Sequence, residues 1–165
     1  MPEYDIDFAA KLAQVAREVD ESDPWAYDAR RVTIYLSRLS AEIAMKALLE
    51  RAGVTVNEIR KHRHNLPTLL KALDSCVVEL KDESGNVSPA SAGALIRAAT
   101  IDFGIAHMPI GELIEAADER ISKYPNEIRY GNVVRDFQPG ILCEMPEVLC
   151  QWAKKHWGTI KVRGI

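Results

Sequence analysis

Residues 23–64 read DPWAYDARRVTIYLSRLSAEIAMKALLERAGVTVNEIRKHRH. The stretch opens on a helix start signal, Asp23-Pro24. Asp accepts from orphan amides, and Pro brings a preset φ and no amide in need of a partner. No further Pro or Gly occurs until Gly53, a residue suited to the left-handed stop of a helix. The spacing predicts one long helix between these points. Two apolar stripes run along it, Val32, Leu36, Leu39, Ile43 and Ala47 on one, Ile34, Ala41, Met45, Leu48 and Ala52 on the other. Apolar residues over so much of its circumference make it the central helix of the fold. Between the stripes runs a polar seam of Arg31, Tyr35, Arg38, Glu42 and Lys46.

The rest of the chain supplies its neighbours. Asp5 or Asp7 can cap a first helix, in which Phe8, Leu12, Val15 and Val19 recur at helical spacing. After the connection 53–64, Asn65 and Pro67 start a helix faced by Leu66, Leu69, Leu70, Leu73, Val77 and Leu80. KDESGN (81–86) is a hydrophilic turn, and Ser88-Pro89 is a second cap-plus-Pro start. The small residues of ASAGALIRAAT (90–100) permit close helix contact, and another helix is expected over 110–123. Residues 124–140, YPNEIRYGNVVRDFQPG, are too rich in Pro, Gly and Asn for regular structure. A last helix is expected from Leu142 to Trp157, with Pro146 near its start. Strand signals are weak throughout. The expected fold is all-α, a mostly up-and-down bundle of five or six helices. It forms one domain over 1–165, with its core at about 5–157.

Composition fits an ordinary soluble globular protein, 47% apolar and 27% charged. A net charge of −3 argues against a surface coated in cations, but not against a local basic patch. The acidic start MPEYDIDFAAK has no basic or apolar leader region, and no apolar run is long enough to span a membrane. Three cysteines without a secretion signal fit a reducing cytoplasm.

Three constellations could carry chemistry. Arg38, Glu42, Lys46 and Glu50 alternate in charge four residues apart. They form either a solvated face of weak ion pairs or a polar seam inside a groove. Arg60-Lys61-His62-Arg63-His64 either surrounds a phosphate at the start of the next helix or is a solvated basic loop. His64 can act as an acid or base near neutral pH. In Arg129-Tyr130, Arg forks onto phosphate and Tyr stacks a base, or else both tie the long loop to the bundle. The histidines lack cysteine partners at metal-ligand spacing, so no metal and no cofactor are expected.

These features resemble the HEPN domain family of prokaryotes. The likeness lies in AEIAMKALLERAG (41–53), HNLPTLLKAL (64–73) and the late Arg129-Tyr130 pair. Glu42, Lys46 and His64 fall on the family's motif positions. The resemblance covers about Asp5 to Val134 and implies a four- or five-helix bundle that binds nucleotides or nucleic acid. It also implies a homodimer. Many members stand beside a small nucleotidyltransferase in toxin–antitoxin or defence pairs, and some are metal-independent ribonucleases. The ribonucleases carry Arg, four to six residues, then His. No Arg here precedes a His at that spacing: Arg60 to His64 has three residues between, and Arg97 to His107 nine. The expectation is therefore a non-catalytic nucleotide or RNA binder, with two alternatives: a metal-independent ribonuclease whose His64 and Arg129 are brought together by folding, and a protein-interaction module that docks a nucleotidyltransferase-like partner. Lys46, Arg60, Arg63 and Arg129 would meet phosphate, Tyr130 would stack, Glu42 would orient Lys46 or His64, and His64 is the candidate catalytic residue.

Overall fold

The computed structural model of the chain describes residues 1–102, 107–115, 124–129 and 139–164. Asp5 starts the first helix, α1 (Ile6–Ser22), its carboxylate accepting from the amides of Asp7 and Phe8. The expected inner face of α1 is corrected. Ala9, Ala13 and Ala16 are buried, whereas Phe8 is exposed. The small side chains let the next helix approach so closely that Ser40 Oγ donates to the Ala9 carbonyl at 2.7 Å. Thr33 Oγ1 does the same to the Ala16 carbonyl at 3.4 Å. Larger residues facing inward would have held the two backbones apart.

That next helix is α2 (Tyr27–Ala52). Asp23 does not begin it but accepts from the Ala26 amide, making a turn just ahead. Gly53 ends it in the left-handed conformation, with φ of 102°. Of the two stripes, the one from Ile34 to Ala52 is buried. The other emerges gradually: Ala47 is buried, Leu36, Leu39 and Ile43 are half-buried, and Val32 is exposed. Arg38 is fully buried, so it does not belong to a solvated ladder.

The chain continues through α3 (Val56–Lys61) and α4 (Leu66–Ala72). Thr55 and Glu58 form a reciprocal capping box on α3. Here the expected long helix fails. After a 3₁₀ turn at Leu73–Ser75 the chain enters strand β1 (Cys76–Lys81), and Val77 and Leu80 lie in that strand. β1 pairs antiparallel with β2 (Val87–Ser91) across the KDESGN turn. In that turn Asp82 accepts from both nitrogens of Asn86. Ser88-Pro89 lies in β2, an edge strand where a missing amide is tolerated, and not at a helix start. Ser91 caps the actual helix, α5 (Ala92–Ala98).

Next come β3 (Thr100–Asp102), β4 (His107–Pro109) and α6 (Ile110–Glu115), the described part of the helix expected over 110–123. β3 and β4 pair antiparallel. Two short helices, α7 (Asn126–Arg129) and α8 (Pro139–Leu142), occupy described parts of the stretch expected to be irregular. Then α9 (Glu144–His156) packs on both α1 and α2. Arg17 ties α1 to α9 through the Glu147 carboxylate, and Glu144 stands 3.8 Å away. β5 (Lys161–Val162) returns to the free edge of β1.

The fold is mostly helical, as expected, and the described residues also form two small antiparallel sheets that the all-α expectation lacks. One apolar cluster runs from Ala9 on α1 to Ile160 before β5. Among the described residues no helix is long and apolar enough to cross a membrane.

Candidate functional site

Glu42 and Lys46 lie one turn apart on α2, so their side chains meet on one face. The Lys46 ammonium donates to Glu42 Oε1 at 2.7 Å, and both side chains are buried, 9% and 5% exposed. This is not a surface pair. Its desolvation cost must be offset by further hydrogen bonds to the same groups. Two such donors arrive from elsewhere in the chain.

The first is His64. α3 ends as the His62 amide bonds back to the Ile59 carbonyl, and Arg63 turns the backbone with φ of 51°. Asn65 then caps α4 by accepting from the Thr68 amide. Held between these turns, His64 places Nδ1 at 3.1 Å from both oxygens of Glu42. The imidazole remains 52% exposed. Its Nε2 has no protein hydrogen bond among the described residues. The second donor is Tyr124, just before α7. Its hydroxyl donates to Glu42 Oε2 at 2.5 Å, and the residue is buried. Burial first, and the Glu42 charge second, push the Tyr124 phenol well above its ordinary pKa, so it stays a proton donor.

Aromatic rings extend the cluster along α2. His64 meets the Tyr124 ring edge-on, with centroids 6.2 Å apart. Tyr35 lies 5.8 Å from Tyr124 on the other side. Arg129, at the end of α7, donates from Nε and Nη2 to the Tyr35 hydroxyl at 3.1 and 2.9 Å. A continuous series of contacts therefore joins His64 to Arg129 through Glu42, Tyr124 and Tyr35. On the opposite flank, the Lys46 ammonium sits 5.4 Å from the centroid of Tyr4.

Glu42, Lys46 and His64 thus converge, with Arg129 one ring further along. Arg60 is directed elsewhere, its guanidinium held on the Glu3 carboxylate at 2.9 Å. Arg63 is exposed at the left-handed turn. Tyr130 lies outside the described residues. The expected phosphate seat at the start of a long helix loses its basis, because α4 spans only seven residues. Glu50, grouped with the ladder, instead accepts from the backbone amides of Glu3 and Tyr4 and pins the N-terminal segment.

Sequence reasoning left Tyr124 out of the site. A tyrosine in a Pro-rich stretch gave only one hint, that a buried phenol needs a partner. Compared with protein-family models, characterised proteins and solved structures, the chain matches none. The likeness to the HEPN family rests on its motif residues alone.

Proposed function

We propose that the chain is a HEPN-like nucleotide- or RNA-binding protein whose ligand meets the face made by His64, Tyr35 and Arg129. The supporting observation is the convergence of Glu42, Lys46, His64, Tyr124, Tyr35 and Arg129, drawn from three separate stretches of chain. Lys46 is neutralised by Glu42, so its role is to hold the carboxylate in place. Arg129 supplies the exposed positive charge of this face, and Arg suits phosphate; His64 presents its exposed Nε2 edge beside it. Tyr35 offers an aromatic surface for a base. Anisotropy titration with a labelled single-stranded RNA tests the reading. His64→Ala and Arg129→Ala should each weaken binding, and added salt should weaken the wild type. Unchanged affinity in both variants would overturn it.

A second reading is favoured by one contact, that of Glu42 with His64 Nδ1. A carboxylate on Nδ1 orients an imidazole so that Nε2 can take a proton. In a metal-independent ribonuclease, Nε2 would remove the 2′-hydroxyl proton of bound RNA. The 2′-oxygen would then bond to the adjacent phosphorus, and the phosphorus–5′-oxygen bond would break, with water protonating the leaving oxygen. RNA cut in the presence of EDTA, and left intact by His64→Ala, would support this reading. Intact RNA after prolonged incubation would end it.

The same resemblance suggests a cytoplasmic homodimer and a small nucleotidyltransferase-like partner in a toxin–antitoxin or defence pair. Sedimentation velocity of the purified chain tests the dimer.

A further inference from the structure

Beside the Glu42 cluster lies a cavity of about 520 Å³ between α2 and α7. Its size falls within the range of small-molecule sites. Val32, Leu36 and Ile128 give it apolar walls, and Tyr35 and Arg129 are shared with the cluster. Among the described residues the remaining lining is Arg31 and Asp28. Arg31 is already engaged, with Nε donating to the Ile128 carbonyl at 2.6 Å and Nη2 to the Arg129 carbonyl. These bonds fix α7 against α2 and so hold the cavity's shape. Asp28 differs. Its exposed carboxylate makes no ion pair and no hydrogen bond among the described residues. It stands in the first turn of α2, where the helix dipole accommodates negative charge.

We propose that this cavity is a guanine pocket in which the Asp28 carboxylate reads the base edge. The inference rests on the reading of the chain as an RNA or nucleotide binder, and it names the base. The apolar walls and the Tyr35 ring suit a flat heteroaromatic ring, and Val32 is an apolar side chain that such a ring would cover. A carboxylate can only accept. Guanine alone among the four bases presents two adjacent donors, the ring N1–H and the exocyclic N2–H, spaced to match two carboxylate oxygens. Adenine and cytosine place a ring-nitrogen lone pair beside their amino group. Uracil flanks its single N–H with two carbonyls. Each of these would set a lone pair against Asp28.

The test uses the full chain and four labelled RNA trimers, with G, A, C or U between two uridines. The trimer with G should bind about tenfold more tightly than the others. Asp28→Asn should bring it to within about twofold of them, because the amide turns a donor toward guanine's donors. Asp28 is exposed, so the fold should be unaffected. Val32→Trp, which fills the cavity, should also abolish the preference. Equal binding of all four trimers by the wild type would overturn the guanine pocket while leaving RNA binding intact. A preference for G that survives Asp28→Asn would overturn the assignment to this residue. No binding of any trimer would overturn both the pocket and the reading on which it rests.

Discussion

Tyr124 donates its hydroxyl to Glu42 Oε2 at 2.5 Å across 82 residues of sequence. Both groups are buried, so the bond cannot be replaced by bulk water. Tyr124→Phe keeps the ring against Tyr35 and His64 and removes only the donor. The buried carboxylate then loses one of its partners, at a cost of about 1–3 kcal/mol. Urea unfolding of the variant should show that loss as a lower midpoint with an unchanged slope. An unchanged midpoint would mean that Tyr124 is not a structural partner of Glu42.

Lys46 and Glu42 invite a double-mutant cycle. Lys46→Met leaves a buried carboxylate without its cation, and Glu42→Gln leaves a buried ammonium without its anion. Each single change should destabilise the chain by about 3–5 kcal/mol. The double variant should recover much of that, because both charges leave together. Additive losses would show that the pair does not interact in the folded chain.

What the sequence disclosed and what it hid divide along one physical line. Asp5 and Gly53 mark helix ends through local chemistry, and the structure uses both. Glu42 and Lys46 meet because one turn of helix separates them. Val77 and Leu80 continue the leucine spacing of α4 yet lie in β1, because that strand gains partners on both edges, at Val87–Ser91 and at Lys161–Val162. The second partner lies at the far end of the chain, and no local window contains it. Phe8 is outward for a related reason: the gap between α1 and α2 is set by Ser40 and Thr33 reaching the α1 carbonyls. Tyr124 reaches Glu42 through the same kind of distant encounter.

Gly111 makes a stability prediction free of charge effects. A Cβ there would lie 2.8 Å from the Arg97 Cα and 2.9 Å from its Cβ. Both atoms belong to α5, and Arg97 is held by Asp74 and Glu115, so the contact has little room to relax. Gly111→Ala should therefore destabilise by about 1–3 kcal/mol, although alanine is the better helix former. A stabilised variant, seen as a higher thermal midpoint, would contradict the close approach of α6 to α5.

His156 gives a pH dependence with a definite sign. Burial, and to a lesser extent the Lys155 charge, hold its imidazole below the ordinary histidine pKa. The unfolded chain therefore binds a proton at a higher pH than the folded chain does. Stability should be fully present above the ordinary value and fall as pH drops through it toward the lower folded value. His156→Gln should lessen the loss between pH 7.5 and pH 5.5 in chemical unfolding. An identical loss in wild type and variant would assign the acid sensitivity to other groups.

The tautomer of His64 separates the site from an accidental contact. Glu42 receives Lys46, Tyr124 and His64, and a carboxylate paired with a lysine ammonium can only accept. Its carboxylate is thus the acceptor for His64 as well, so Nδ1 carries the proton and Nε2 keeps its lone pair in the neutral ring. Neutral histidine in water prefers the other tautomer, so the prediction runs against the default. Nitrogen-15 NMR above the imidazole titration should show a protonated Nδ1 and a bare Nε2 for His64. Glu42→Gln removes the fixed acceptor and should return the ring toward the solvent mixture, whereas Arg129→Ala should leave it unchanged. A wild-type His64 with its proton on Nε2 would mean that Glu42 does not orient the ring. The proton-accepting role of Nε2 would then have no structural basis.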